Sequence, residues 1–481
     1  MATSAAKFLP QIVENGKSAI SSHFPLIAAL SILAAVYGQT LAPGLTWAND
    51  GADGGDLISA SFRGGVPHPP GYPLYLALSG LALKILPGSP ALRLNIFSAL
   101  CALAAAGLAY RLILRLSGGK TPAFVAALSL GLTPAFWGQA VIAEVYSLQI
   151  FLLLAVFYQT LFSRRDLLRG ITFGLAISHH LSAIFLLPAL LFDGSQSAEK
   201  KAVAARIFFA ALTAFLLYAS LMPRAASQPP VNWGHADSLA RLWPLVSGEI
   251  YQGYLQPGAD NFPQKSQAAA GLIFDQLGAP ALILALMALL NAPRREVFRA
   301  LTALTVAAQL CFALFYQTRD WQINLLPIYT LSNLWAGLGL AQVSQKFRPL
   351  GPILTLLVLT ALTVNTARHW QSVDASRDQR AEDFSRLILS KAPPDAILLT
   401  SEDRDTFALW YHQHVLRERP DLVILPLGLL NYDWARQTLR ETYLNFNLPA
   451  AATSRQEIFA ANPQRPVCAI FVEPQSAYFC K

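Results

Sequence analysis

The chain has 481 residues, of which 54% are hydrophobic and 13% charged, where a soluble domain carries about 25% charged residues. With a mean hydropathy of +0.40 this excludes a soluble enzyme, and 29 glycines and 31 prolines are too near average for a disordered or collagen-like chain. The net charge of +8 is spread between apolar runs instead of gathered on one stripe or tail, so it argues for membrane orientation and against nucleic acid.

A membrane crossing needs about 20 apolar residues. Such runs lie near residues 24–42, 92–114, 122–138, 142–162, 205–222, 268–290, 298–316, 323–343 and 350–366. The first lacks an A-x-A-like cleavage site after it and reads as a retained first span. Five basic loops separate the runs: Arg111/Arg115/Lys120, Arg164/Arg165/Arg169, Lys200/Lys201/Arg206, Arg294/Arg295/Arg299 and Lys346/Arg348. All five are expected in the cytoplasm.

One stretch conflicts with that rule. Residues 170–192 are apolar throughout, yet both flanks are basic, so a full crossing would leave one flank on the wrong side. The stretch therefore reads as two half-helices meeting near Ser178, His179, His180 and Leu181, with the tip turned outward. Imidazoles and irregular backbone at that depth require a cover of protein or a water-filled cavity. The count is then about eleven membrane helices, with the N-terminus inside and the C-terminus outside.

The expected architecture is an α-helical polytopic membrane domain over residues 1–366, followed by a small extracytoplasmic α/β domain over residues 367–481. Outer segments lie at 43–91 and about 223–267, and Tyr72 to Leu86 reads as a short interfacial helix. In the C-terminal part a helix is expected at Ala381–Ser390, a strand at Ala396–Thr400, a helix at Thr406–Val415 and a strand at Asp421–Leu425. Four cysteines without a CxxC pair make no disulfide scaffold. Cys101 and Cys311 read as core residues, and Cys468 and Cys480 can form one bridge in an oxidising compartment.

The chemistry concentrates in the first outer loop, where Asp50, Asp53 and Asp56 follow directly on a membrane helix. Asp-Gly turns in a wet loop account for them equally well. The alternative is a site in which the chain turns helical at Asp53, so that Asp53 and Asp56 share a face at i,i+3, one as general base and the other as its partner or a metal ligand. The Pro-rich stretch from Pro67 to Pro73 would hold the loop on a fixed path.

The stretch DGGDLISASFRGGVPHPPGYPLY, beginning at Asp53, resembles the signature of the protein O-mannosyltransferase-like family, formerly a domain of unknown function, among glycosyltransferases of GT-C fold. Phe136 to Tyr146 resembles its W-x-Q-A-x-x-A-E-V-Y, and Gly174 to Leu181 its G-x-x-x-x-x-H-L, with His179 where Asn is commoner. Val231 to Gly234 resembles its N-W-G, and Asp403 to Trp410 with Arg419 to Asp421 its outer-domain pattern. Asp56 stands where that family usually has Glu.

The resemblance implies a GT-C-like transferase that moves a sugar, typically mannose, from a polyprenyl-phosphate carrier to an acceptor protein or glycan at the outer face. Asp53 is the expected base, with Asp56 beside it, and the reaction inverts the anomeric carbon. Arg63, His68, His179, His180 and Arg319 beside Asp320 are candidates for phosphate contact, each with a plainer reading as a snorkelling, structural or rim charge. Glu144 is favoured as an acid near a helix N-terminus; under the resemblance it faces the cavity, positioning acceptor or metal. The resemblance fixes no cofactor and leaves a divalent metal open. His412 and His414 lack a third ligand of suitable spacing, so no metal is expected there.

The absence of an N-x-[ST] sequon points to a bacterial inner membrane with a periplasmic outer domain; an endoplasmic reticulum enzyme is the alternative. Three rivals stand beside this reading. One is a GT-C transferase acting on a lipid or cell-envelope glycan. Another is a transporter or flippase, which would show inverted repeats and midplane charges, whereas the ionisable residues here cluster at the outer boundary. The third is a scaffold without activity.

Overall fold

The computed structural model describes residues 5–192, 200–258, 260–291, 296–449, 455–472 and 477–480, with the backbone alone for 5–22, 455, 477 and 478. Arg294 and Arg295 of the fourth basic loop lie outside the described residues. The helical part runs α1 (Ala5–Thr40), α2 (Gly54–Arg63), α3 (Pro73–Ile85), α4 (Pro90–Ser117), α5 (Lys120–Gly131), α6 (Pro134–Ala140), α7 (Tyr146–Phe162) and α8 (Asp166–His179). It continues through α9 (Leu187–Leu191), α10 (Lys200–Ala219), α11 (Leu221–Ala226), α12 (Leu239–Val246), α13 (Phe262–Leu290), α14 (Glu296–Phe315), α15 (Leu326–Lys346) and α16 (Leu350–Val373). Local chemistry sets the ends. Ser89 caps α4 by accepting from the Leu92 N–H at 3.2 Å, Pro90 follows at the first helical position, and Gly118 at φ +72° closes the helix.

Among the described residues six helices are long and apolar enough to cross a membrane, and a seventh if α5 and α6, bent by 69° at their junction, count as one span. The figure of about eleven is therefore not reached on these criteria. The run expected at 142–162 is the 17-residue α7. The run at 323–343 is α15, whose apolar stretch is diluted by Thr330, Ser332, Asn333 and Gln342.

The half-helix pair is present as geometry. Helix α8 ends at His179, His180 is extended at φ −150° and ψ 132°, and the chain returns through a 3₁₀ segment, Leu181–Leu186, into α9. The guanidinium of Arg169 near the start of α8 donates to the carbonyls of Ala189 at 3.2 Å and Phe192 at 2.6 Å. Both ends of the stretch thus lie together.

After α16 the chain builds an outer α/β unit from α17 (Arg380–Lys391), β1 (Ile397–Thr400), α18 (Asp403–Trp410), β2 (Val423–Pro426), α19 (Asp433–Thr442), α20 (Arg455–Ala461), β3 (Val467–Phe471) and β4 (Ala477–Cys480). The sheet order is β2-β1-β3-β4, with β1 parallel to β2 and β3, and β4 antiparallel to β3. Cys468 and Cys480 are directly opposite and disulfide-bonded. β1 and β2 are buried along their length, as expected for parallel strands covered on both faces. This unit sits directly on α2: Gly55 faces the backbone carbonyl of Phe407 so closely that a Cβ would overlap it.

Candidate active site

The loop before α2 is fixed from both sides. Thr46 Oγ1 donates to Asp378 at 2.6 Å and the Trp47 N–H to the same carboxylate at 3.0 Å. Asn49 donates to the Val373 carbonyl at 2.9 Å, and Gln139 to the Asn49 carbonyl at 3.0 Å. The chain becomes helical immediately after Asp53, which occupies the N-cap. The three loop carboxylates then meet three environments: Asp50 is exposed, the Asp53 side chain is 35% exposed, and that of Asp56 is fully buried.

Burial of Asp56 is compensated by donors. Its Oδ2 accepts from the His68 backbone N–H at 3.0 Å and from the His68 Nδ1–H at 2.7 Å; its Oδ1 accepts from the Trp233 indole N–H at 3.0 Å. The N-W-G segment reaches this place by pairing with the His68 loop. The Val66 N–H donates to the Val231 carbonyl at 3.0 Å, and the Trp233 N–H donates back to the Val66 carbonyl at 3.1 Å. Gly71, at φ +85° and where a Cβ would meet Leu221 at 2.8 Å, closes the turn after His68, and its N–H donates to the His68 carbonyl at 2.9 Å.

With Nδ1 committed to Asp56, His68 presents Nε2 to Asp53 at 3.5 Å. Burial would lower the His68 pKa, but the Asp53 charge and the Asp56 hydrogen bond outweigh it and hold it up at about 9. Desolvation raises the Asp53 pKa above the usual carboxylate range; His68 opposes that rise, and Asp56 and Asp320 add to it. The site is thus an imidazolium clamped between one saturated and one partly open carboxylate.

A wall of aromatic and imidazole rings extends from this clamp. The His68 ring lies 5.1 Å from Tyr72, which lies 6.3 Å from His179 and 6.2 Å from His180. Tyr146 is 6.0 Å from His180. The His179 Nε2–H donates to the Val145 carbonyl at 2.9 Å. His180 Nδ1 accepts from the Ser182 N–H at 3.2 Å, so its proton is on Nε2. Glu144 is buried, accepts from the Val145 N–H at 3.3 Å, and acts electrostatically on His68.

Asp53, Asp56, His68, Glu144, His179 and His180 therefore converge. Asp320 is exposed and within electrostatic reach of Asp53, with exposed Arg319 next to it. Arg63 is not in this group: it ends α2, about 15 Å of helix away from Asp53, and its charge acts on His414 in the outer domain.

Sequence reasoning did not assign Trp233, Tyr72 or Asp403 to the site, although all three lie in quoted motifs. Asp403 begins α18; desolvation and then the neighbouring Asp53 charge push its pKa up to about 6. Among the described residues no three His, Cys, Asp or Glu side chains come together to hold a metal ion. His412 sits between Glu418 at 2.7 Å and Glu382 at 3.3 Å as an ion-paired core residue.

Two family models match the chain. The protein O-mannosyl-transferase TMEM260 N-terminal domain covers residues 53–203, which contain every converging residue from Asp53 to His180, and TMEM260-associated domain 2 covers residues 381–467. The chain is 26% identical over 450 residues to the protein O-mannosyl-transferase TMEM260 of Mus musculus, covering 85% of this chain and 63% of the relative. It is 20% identical over 487 residues to that of Dictyostelium discoideum, covering 86% of this chain and 58% of the relative. It thus spans about three fifths of the length of these relatives. In architecture it is similar to ArnT from Cupriavidus metallidurans, both bound to undecaprenyl phosphate (TM-score 0.61, 12% identity, 93% of each chain) and in the apo state (TM-score 0.63, 11% identity, 94% of this chain and 93% of ArnT). Two regions of this integral membrane chain are thus similar to an O-mannosyltransferase-like family, and its architecture is similar to the GT-C-like fold of ArnT.

Proposed function

We propose that the chain is a glycosyltransferase that moves a sugar, mannose in the first instance, from a polyprenyl-phosphate carrier to a serine or threonine hydroxyl of an acceptor protein. The observation that carries this reading is the unequal treatment of two aspartates. Asp56 has its acceptor positions filled by His68 and Trp233, whereas Asp53, on the same helix end, keeps an open carboxylate beside a cation.

Asp53 is the base and Asp56 a positioning residue. The acceptor oxygen attacks the anomeric carbon, its proton passes to Asp53, and the bond from that carbon to the phosphate oxygen breaks with its electron pair leaving on the phosphate. Direct displacement inverts the anomeric centre. The leaving group needs no general acid, but it needs positive or N–H donors, a role open to the His180 Nε2–H and to exposed Arg319. His68, as an imidazolium, keeps Asp53 ionised and oriented.

The lipid-linked donor is supported by the ArnT structure bound to undecaprenyl phosphate, and the protein acceptor by the names of the two relatives. The Cys468–Cys480 bridge supports an oxidising compartment for the outer domain. That compartment is the endoplasmic reticulum lumen, as the mouse and Dictyostelium relatives favour, or the periplasm of a bacterial inner membrane. The test is transfer from polyprenyl-phosphate-mannose to candidate acceptor proteins by purified enzyme. Wild type transfers, Asp53→Asn falls by about 10³-fold, and equal transfer by the two would overturn the assignment.

A further inference from the structure

Lys265, near the start of α13, is 6% exposed although residues 262–264 beside it are exposed. Its ammonium donates to the Tyr316 carbonyl at 2.7 Å and lies 4.6 Å from the centre of the Trp321 ring. Among the described residues no carboxylate lies within ion-pair distance of it. One carbonyl and one ring leave two of the three ammonium N–H groups without a hydrogen-bonding partner, and a buried cation without an anion is costly. Such a group is explained when an anion arrives from outside.

The position fits a lipid anion. Trp321 follows Asp320, whose charge reaches Asp53. The segment beside Lys265 is held by the Gln256 N–H donating to the Phe315 carbonyl at 3.0 Å and the Gln317 N–H donating to the Tyr254 carbonyl at 2.7 Å. Around it Tyr254, Leu255 and Phe262 are 45%, 48% and 40% exposed. They form an apolar, partly aromatic surface at the head of a membrane-spanning helix, where an isoprenoid chain has favourable contacts and a water-soluble phosphate has none.

We propose that Lys265 is the cation that receives the phosphate of the polyprenyl carrier, with Trp321 as the platform beneath the ammonium. The inference rests on the donor class put forward under the proposed function and adds the residue that holds its charge. On donor binding the ammonium keeps the Tyr316 contact and turns its remaining N–H groups to phosphate oxygens. The negative charge left on the phosphate after sugar transfer is held by the same group.

The experiment measures binding of a short polyprenyl monophosphate to detergent-purified full chain by native mass spectrometry, with the matching polyprenyl alcohol and inorganic phosphate as separate probes. Expected are binding of the phosphate lipid, about tenfold weaker binding by Lys265→Met, recovery in Lys265→Arg, and no change for the alcohol. Binding is read without any sugar transfer, so this readout survives a failure of the transfer reaction itself. Melting temperature of Lys265→Met is followed alongside. Equal loss of alcohol and phosphate binding, or no loss of either, overturns the proposal. Displacement of the lipid by millimolar inorganic phosphate would overturn the lipid source in favour of a soluble phosphate.

Discussion

Asp56 grips His68 twice through a single oxygen, and that grip points the opposite ring nitrogen at Asp53. The two aspartates therefore fail differently when changed. Asp53→Asn alters a partly exposed side chain whose ion pair, among the described residues, is with His68, so the protein is expected to remain folded while transfer collapses. Asp56→Asn places an NH₂ group among three donors inside the core, leaving at least one buried donor unpaired at a cost of about 3 kcal/mol. Melting temperature and transfer rate measured together separate the two: Asp53→Asn keeps the first and loses the second, whereas Asp56→Asn loses both. A stable, inactive Asp56→Asn would make Asp56 the base.

The clamp also sets a pH window. With Asp53 as the proposed base, transfer requires it ionised; desolvation raises its pKa, so the acid limb of the profile is expected above the ordinary aspartate value. The basic limb lies near pH 9, where His68 loses its proton and Asp53 loses its neighbouring cation. For stability the sign is that of a histidine with a raised pKa. The contribution of the clamp is complete below about 6.5 and disappears as pH rises through about 9. A bell-shaped kcat/KM profile whose basic limb vanishes in His68→Gln is the expected result; an unchanged limb would separate His68 from the reaction.

Asp53, Asp56 and His68 are legible in the sequence because they stand in one short stretch, where helical spacing and a proline-bound histidine both show. The bend at His180 is legible from a conflict of charges across one apolar run. Trp233 is visible as a motif but not as a ligand of Asp56, because 177 residues separate the pair. Lys265 is invisible, since its burial depends on residues 316–321 folding over it. Arg63 shows the reverse failure: it belongs to the right loop, yet the helix that begins at the site carries it away.

The contact between α2 and the outer domain predicts a sharp difference between adjacent glycines. A Cβ on Gly55 would lie well inside 3.0 Å of the Phe407 carbonyl oxygen, whereas one on Gly54 meets its nearest atom, the Ala143 carbonyl oxygen, at an ordinary 3.5 Å. Gly55→Ala must push α18 away from α2, carrying Asp403 away from Asp53, at a cost of about 2 kcal/mol for overpacking. Gly54→Ala is expected to melt and to transfer like wild type. Limited proteolysis reports the separation: faster cleavage at the outer domain in Gly55→Ala alone is expected, and equal resistance in both variants would mean that the interface yields without consequence.

The stretch 166–192 makes the topology itself testable. Arg169 bonds the carbonyl of Phe192, and Arg206 bonds both that carbonyl, at 2.8 Å, and the Asp166 carboxylate. Entry to α8, exit from α9 and the first turns of α10 are thus tied at one level of the membrane domain. A complete crossing between residues 166 and 192 would separate those groups by about 30 Å of hydrocarbon, which no arginine side chain can span. Single cysteines at Ser163 and Lys200, in a background with Cys101 and Cys311 replaced by serine, are therefore expected to react with a membrane-impermeant thiol reagent from the same side. Labelling from opposite sides would break the hairpin, and with it the route by which His179 and His180 reach Tyr72 and the aspartate clamp.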